Sequence, residues 1–486
     1  MADPTTFEQI DAMVAATRAA VFVRRVDDVL LIRPEKTLGV NESAAAILEA
    51  LYRRDGGPAR EALEALSTRL AVGLSRLADD TVELLKTIVA LMHDDVSPRA
   101  NVRRETFDRR RIRFPILAEI ALTYRCQNRC AFCYASSPHR GPEDRSMTTA
   151  QVKRVMDKVF HEAHVPSLSF TGGEATLRPD LEELVRHGRN LGFRVNLITN
   201  GIRLADRRYA ALLADAGLSS AQISLEAARA GLHDSIVGRP GAFEATVAAV
   251  RNLARLGIHV HTNSTLTPAN LGHAADLVRF VARELERKTL SINMLIRSGM
   301  GLECEGSPIS YDQVARTLPA LVETARAERV KLVWYSPVPY CIVNPVLLGQ
   351  GAKACACVDG LLSVSPTGDV LPCSSFHQGI GSLLTGSYGQ VRQSAAARYW
   401  LEKRFLPPVC EGCPDSDICC GACPLYWDAA GSFQELPRAG NDDAALYQAW
   451  RTDRREGASF GVPSAPRRCA AAVPDAAGPS TSPEEA

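Results

Sequence analysis

Three cysteines set the first chemical expectation. Cys126, Cys130 and Cys133 stand in the stretch Thr123-Tyr-Arg-Cys126-Gln-Asn-Arg-Cys130-Ala-Phe132-Cys133-Tyr, a C-x3-C-x2-C run with an aromatic before the last thiol. Three thiolates on one tight loop hold three corners of a 4Fe–4S cube and leave its fourth iron open. An open iron binds a small molecule and passes it an electron. Zinc is the alternative, but zinc sites favour paired C-x2-C units with a fourth ligand close by, and none lies near this loop.

A second concentration of thiols lies toward the C-terminus. Cys410, Cys413, Cys419 and Cys423 follow a C-x2-C-x5-C-x3-C spacing. Upstream, Cys357 is followed by Gly368 and then Cys373, and Pro366-Thr-Gly368-Asp suits the turn of a hairpin. Cys341, Cys355 and Cys469 flank these runs. A zinc ribbon is the plain alternative for C-x2-C pairs. Cys304 and Cys420 are left over, and Cys304 reads most simply as a buried apolar residue.

The elements that position the first loop are legible in the pattern of residues 115–335. Apolar strands are expected at 116–123, 166–171, 193–199, 220–225, 258–266 and 289–296, with amphipathic helices between them such as 149–161 and 206–217. Strand and helix in alternation argue for an α/β fold with a parallel sheet and right-handed crossovers. About six such units make a partial (β/α)6 TIM-like barrel, whose chemistry belongs at the C-terminal ends of the strands. The cysteine loop follows the first strand. The second strand ends in Thr171-Gly172-Gly173-Glu174, where paired glycines admit close backbone approach and Glu174 offers a carboxylate to an ammonium group. The third ends in Thr199-Asn200-Gly201 and the fourth in Ser224-Leu225-Glu226. Arg239 follows, and Asn263, Thr265 and Arg297 face the same rim by strand parity.

Composition bounds the rest. The chain has 486 residues, 46% of them hydrophobic, which is ordinary for a globular protein of several domains. A net charge of +1 gives no global field for nucleic acid or a membrane surface. No apolar run approaches a bilayer-spanning length. MADPTTFEQIDAMV is acidic and lacks an apolar core, so a cytoplasmic location is expected. In that compartment, fourteen cysteines more often serve metal than disulfides. The chain divides into a compact unit at 1–95, a linker at 96–114 rich in arginine (Arg103, Arg104, Arg109, Arg110, Arg111), the 115–335 region, a cysteine-rich module at 336–470, and a tail at 471–486 expected to be disordered.

The first unit reads as three short strands followed by three helices. The strands are Val21-Phe-Val, Val29-Leu-Leu-Ile and Thr37-Leu-Gly-Val, Asn41 stands at the strand-to-helix corner, and helical patterns follow from Ser43 and over 58–69 and 78–93. This makes a small winged-helix-like domain. A DNA-binding winged helix needs a basic recognition helix; here AAAILEALYRR, AREALEALSTRL and ADDTVELLKTIV are mixed or acidic.

These motifs carry three resemblances. The C-x3-C-x2-C loop, with Gly172-Gly173-Glu174 one βα unit later, resembles the radical S-adenosylmethionine (AdoMet) enzymes, in which the open iron chelates AdoMet and cleaves it to a 5′-deoxyadenosyl radical. The resemblance implies Cys126, Cys130 and Cys133 as catalytic-cluster ligands. It implies AdoMet contacts from Phe132, Gly172, Gly173, Glu174, Asn200, Ser224, Glu226 and Arg239; Ala175 stands where relatives usually have proline, and Val237 where they often carry the arginine. The C-terminal pattern resembles the SPASM domain, which binds two auxiliary 4Fe–4S clusters. By position, Cys357, Cys373 and Cys423 serve the first, completed by Cys341 or Cys355; Cys410, Cys413, Cys419 and Cys469 serve the second. The N-terminal unit resembles the RiPP recognition element, whose sheet edge captures the leader of a ribosomally made peptide by β-augmentation.

Together the resemblances imply a radical AdoMet/SPASM maturase. It would bind a precursor peptide by its leader on residues 1–95, draw electrons from a flavodoxin- or ferredoxin-type donor, and form a thioether or carbon–carbon crosslink in the core peptide. A formylglycine maturase of the sulfatase type and a maturase of a short redox-cofactor peptide are the enzymatic alternatives. A cluster-bearing electron-transfer or peptide-binding protein without radical chemistry is the alternative of another class.

Overall fold

The computed structural model describes residues 3–32, 36–53, 56–93, 112–137, 146–302, 309–440 and 443–457. The arginine-rich stretch through Arg111, Cys304, Cys469 and the 471–486 tail lie outside the described residues.

The N-terminal unit opens on a helix that the strand-first reading did not anticipate. Helix α1 (Pro4–Thr17) starts where Asp3 accepts a hydrogen bond from the Thr5 amide, with Pro4 preset at the first helical position, and it buries Phe7, Ile10 and Val14. Strands β1 (Val21–Arg24), β2 (Val29–Ile32) and β3 (Lys36–Gly39) form an antiparallel sheet in that order. Helices α2 (Glu42–Leu51), α3 (Ala59–Leu70) and α4 (Leu74–Met92) follow, and Asn41 caps α2 by accepting from the Ala44 amide at 2.8 Å. Ile10, Leu48, Leu63, Leu85 and Ile88 are fully buried in a core that belongs to this unit alone.

A buried ion pair fastens this unit to the barrel. Arg24 pairs with Asp27 at 2.8 Å, both side chains almost wholly covered. The same guanidinium donates to the carbonyls of Pro115 (2.7 Å) and Phe114 (3.1 Å), just ahead of the first barrel strand. A buried arginine needs several acceptors at once, and the carboxylate and two carbonyls supply them. The attachment is therefore at the N-terminal end of the barrel strands, opposite the cysteine loop.

The barrel runs β4 (Leu117–Thr123), α5 (Thr149–His161), β5 (Ser167–Gly172), α6 (Leu181–Leu191), β6 (Arg194–Thr199), α7 (Arg207–Ala216), β7 (Ser220–Ser224), α8 (Ala230–Val237), α9 (Ala242–Arg255), β8 (His259–Leu266), α10 (Ala274–Arg283) and β9 (Thr289–Met294). All six expected strands are present and parallel, each beside its chain neighbour. The parallel sheet is longer than six, however. After α11 (Tyr311–Ala327), β10 (Lys331–Trp334) pairs with β9, and β11 (Leu361–Val364) pairs with β4. From β11 the sheet continues antiparallel through β12 (Asp369–Leu371) and β13 (Gly381–Ser382). The expected hairpin turn joins β11 to β12, with Gly368 left-handed at φ 84°. The cysteine-rich region thus extends the barrel's own sheet.

Leu168, Phe170, Leu197, Ile223 and Ile292 are fully buried in the barrel, and the same core runs on to Trp400, Trp427 and Phe433. The lumen-facing positions are polar: Asn196 donates to Ser169 and accepts from Ser220, and His261 pairs with Gln222 at 3.1 Å. Among the described residues, no helix is long and apolar enough to cross a membrane.

Candidate functional site

The cysteine loop leaves β4 at Thr123 and is gripped from three sides. From β5, the Gly173 and Glu174 amides donate to the Thr123 and Arg125 carbonyls, each at 2.8 Å. From the end of α8, the Val237 carbonyl accepts from the Arg129 amide at 2.9 Å and lies 3.9 Å from the Cys130 thiol. After β9, the Met300 amide donates to the Cys133 carbonyl at 3.0 Å. These approaches need glycine. A side chain at Gly173 would meet the Tyr124 and Arg125 carbonyl oxygens at 2.5 Å, and one at Gly238 would meet the Arg129 carbonyl oxygen at 2.8 Å. Gly299 likewise lies against the Cys133 and Tyr134 carbonyls. Sequence reasoning found the Gly172–Gly173 pair and missed Gly238 and Gly299, whose partners come from remote elements.

The loop's electrostatics suit a bound cationic centre. Burial pushes the Cys126 thiol up to about 12, with the nearby Glu174 and Cys133 adding to it. Cys130 is raised well above the ordinary thiol range by burial, then by Glu226 and the other two cysteines. Such thiols keep their protons until a metal centre supplies the opposing charge, whereupon coordination deprotonates them. Among the described residues, no three His, Cys, Asp or Glu side chains converge as ligands of one metal ion.

Of the predicted AdoMet contacts, Glu174, Asn200, Glu226 and Arg239 lie near this loop. Glu174 is buried, and its Oε1 accepts from the Thr176 amide and hydroxyl and from the Thr199 hydroxyl, while Oε2 accepts from the Asn200 amide at 2.8 Å. One lone pair on Oε2 remains for an ammonium donor. Asn200 reaches the loop itself, accepting from Gln127 at 3.1 Å and approaching the Cys126 sulfur at 3.8 Å. Arg239 donates to the Gln127 carbonyl at 3.3 Å. Glu226 is buried, accepts from the Thr265 amide at 2.8 Å, and is raised to about 8 chiefly by burial. Its own amide donates to Nδ1 of His233, whose burial lowers that imidazole to about 4 and keeps it neutral. Ser224 is half-buried beside Asn263 on β8. Asn263 and Thr265 are engaged with β9 through Ser291 and Asn293, and Arg297 donates to the Leu302 carbonyl. Phe132 is half-buried on the loop.

Beside the loop lies a small cavity of about 10 Å³, lined by Glu119, Tyr124, Tyr134, Thr171, Ser363 and Ser374 among others. Glu119 accepts from the Ser374 hydroxyl at 2.8 Å, and burial raises its carboxyl above the usual range. Tyr134 directly follows Cys133, and Ser374 directly follows Cys373, so the cavity sits between the two cysteine regions. Glu119 was missed from sequence, although a lone charge inside ILAEIALT is a visible signal.

The C-terminal cysteines fall into two groups. Cys355 and Cys357 touch at 3.3 Å between sulfurs, Cys357 also meets Cys373, and Cys423 feels both Cys355 and Cys373. Lys403, almost wholly buried, donates to the Cys355 carbonyl at 2.9 Å and pairs with Asp359 at 2.8 Å, placing one cation beside this group. The second group holds Cys410, Cys413 and Cys419; burial raises Cys410 to about 12, with Cys419, Cys341 and Cys413 adding to it. Of the two candidates for the first group, Cys355 lies within it, and Cys341 lies beside the second. Between Cys419 and Cys423 three successive residues, Cys420, Gly421 and Ala422, are left-handed at φ 54°, 62° and 68°. That reversal sends the two flanking cysteines to different groups.

Comparison with known proteins agrees with this geometry. The family model of the radical SAM superfamily matches residues 120–281. Among curated proteins, the AdoMet-dependent heme synthase of Methanosarcina barkeri is 27% identical over 337 residues, 66% of this chain and 95% of that protein. The fold is similar to that of Streptococcus suis SuiB bound to its precursor peptide SuiA, at TM-score 0.62 and 16% identity over 84% of this chain and 95% of that one. It is also similar to anSMEcpe with bound AdoMet and the Cp18Cys peptide, at TM-score 0.51 and 18% identity over 71% and 97% of the two chains. The barrel over residues 120–281 thus matches the radical SAM superfamily, whose enzymes use a 4Fe–4S cluster and AdoMet.

Proposed function

We propose that the chain is a maturase of a ribosomally made peptide, with residues 1–95 as leader-binding unit, 115–335 as radical barrel and 336–470 as a module for two auxiliary clusters. One observation carries this reading. A separately cored, three-stranded unit is fastened to the barrel, and among the described residues only β2 pairs with β3, which leaves β3 an open edge. An open edge accepts an extended peptide as a further strand. SuiB, whose fold this chain shares, is a protein bound to its precursor peptide.

The roles follow from position. Cys126, Cys130 and Cys133 would hold the catalytic cluster, with Asn200 and Arg239 fixing their loop. When bound, that cluster with AdoMet supplies one-electron cleavage to the 5′-deoxyadenosyl radical. Gly173 and Glu174 would orient the ammonium group of AdoMet, and Ser224 and Glu226 its ribose. Glu119, beside the small cavity between the radical source and the first C-terminal group, would face the approaching core-peptide side chain. The leader unit is held at the opposite end of the strands. β4 has seven residues, about 20 Å at the usual rise, so the peptide needs at least about six extended residues between its leader contact and the modified side chain. Electrons would come from a flavodoxin- or ferredoxin-type donor, and the product would be a thioether or carbon–carbon crosslink.

The test compares full-length chain with a variant lacking residues 1–93, on a synthetic precursor encoded near the gene. Mass spectrometry should show modification reduced at least about tenfold at low micromolar peptide, with AdoMet cleavage retained. Equal rates would exclude the leader role. The sequence relatives favour a second reading, because the matched proteins are named heme synthases. Turnover of a haem precursor, with no modification of any peptide, would establish that reading instead.

A further inference from the structure

We propose that Cys341 is the fourth ligand of the second C-terminal cluster, so that this cluster closes without Cys469. The inference rests on the reading of the C-terminal cysteines as iron–sulfur ligands and departs from the positional assignment of Cys469.

Two independent features place Cys341 there. The first is elimination. Cys355, Cys357, Cys373 and Cys423 already make four thiols around one point. A cube has four irons, so that group has no vacancy for a fifth thiol.

The second is the crossing of two chain segments. Residues 407–419 form a series of tight turns: the Cys410 amide donates to the Pro407 carbonyl at 2.8 Å, Cys413 to Cys410 at 3.1 Å, and Cys419 to Asp415 at 2.8 Å. Residues 338–343 pack across this series. The Tyr340 amide donates to the Cys419 sulfur at 3.4 Å, and that thiol lies 3.7 Å from the Val338 carbonyl. Cys341 is the next residue. Its own turn is closed by the Ile342 and Val343 amides, which both donate to the Pro339 carbonyl at 3.0 Å. Cys341 is exposed, unlike the leftover Cys420, which is fully buried. Apolar packing therefore does not explain Cys341, whereas a position beside Cys410, Cys413 and Cys419 does. On cluster binding each thiol forms one Fe–S bond and releases one proton to solvent, with no change in oxidation state.

The experiment uses the full-length chain, reconstituted anaerobically with iron and sulfide. Wild type, Cys341→Ala, Cys341→Ser and Cys469→Ala are compared by iron and sulfide content and by electron paramagnetic resonance of the reduced protein. Wild type should hold about twelve irons. Cys341→Ala should lose up to about four of them, together with one reduced-cluster signal. Cys341→Ser, offering oxygen in place of sulfur, should shift that signal. Cys469→Ala should match wild type. Production of 5′-deoxyadenosine by Cys341→Ala shows that the barrel is folded. Full iron with an unshifted signal in both Cys341 variants, or loss of iron in Cys469→Ala, overturns the assignment. About four irons in wild type would instead overturn the auxiliary-cluster reading on which it rests.

Discussion

Cys126, Cys130 and Cys133 sit on a loop whose neighbours are the ends of strands and helices, whereas the cysteines from Cys341 to Cys423 sit on turns and at the ends of short strands and helices. The barrel loop is held by amides of Gly173, Glu174 and Met300 and by the Val237 carbonyl, all on or next to regular elements of the barrel. The C-terminal groups are held by short turns, by the left-handed run 420–422, and by one buried lysine. Left-handed non-glycine residues cost about 1 kcal/mol or more each and persist only where the surroundings over-determine them. In the barrel the scaffold positions the thiols; in the C-terminal module bound clusters would position the scaffold.

The largest expected effect separates the two regions by function. Replacing Cys126, Cys130 and Cys133 together by alanine should abolish 5′-deoxyadenosine formation and remove about four irons, leaving the C-terminal iron in place. Continued AdoMet cleavage by this variant would show that the radical chemistry sits elsewhere.

Iron removal should separate them by stability. In the cluster-free chain, backbone amides of the cysteine turns at 339–343 and 407–423 should exchange hydrogen about a hundredfold faster than in the loaded chain, while β4 to β9 stay protected. Equal protection of the two regions with and without iron would break the comparison.

A pair of glycines sharpens it further. Gly238 and Gly412 are both left-handed, at φ 64° and 68°, but a side chain at Gly238 strikes the cysteine loop whereas Gly412 has open space around it. Gly238→Ala should therefore weaken iron retention at the barrel loop by about tenfold, while Gly412→Ala carries only the conformational cost of about 1 kcal/mol. Iron release to a chelator, followed cluster by cluster, measures the difference.

The sequence made the barrel legible because its signals are local. Six apolar runs, each followed by an amphipathic stretch, correspond to β4 to β9 almost residue for residue, and Gly172-Gly173-Glu174 lies beside the cysteine loop. What it concealed is non-local. β10 and β11 are four residues each, too short to stand out, and their pairing with β9 and β4 depends on tertiary context. Helix α1 was marked by Asp3-Pro4 but outweighed by the strand pattern that follows. The grouping of Cys341 with Cys419 depends on two segments about 80 residues apart crossing in space, which spacing rules for single motifs do not encode.

The smallest expected effect concerns the barrel alone. His261 lies in the lumen beside Gln222, and its imidazole is lowered from the ordinary 6.5 to about 4 by burial, with His259 and Arg194 adding to it. The unfolded chain therefore binds this proton more readily than the folded chain between those two values. Stability from the neutral histidine is fully present above about pH 6.5 and is lost as pH falls toward 4. The linkage amounts to about 2 kcal/mol at most between pH 7 and 5. His233 is lowered to about 4 as well and contributes a parallel slope. His261→Gln keeps a partner for Gln222 and removes the titration. Urea unfolding of the cluster-free variant should show about half the wild-type loss of stability over this range, with iron content after reconstitution unchanged. An undiminished acid slope would mean that His261 is already solvated in the folded barrel, and that the lumen admits water more freely than its buried polar pairs indicate.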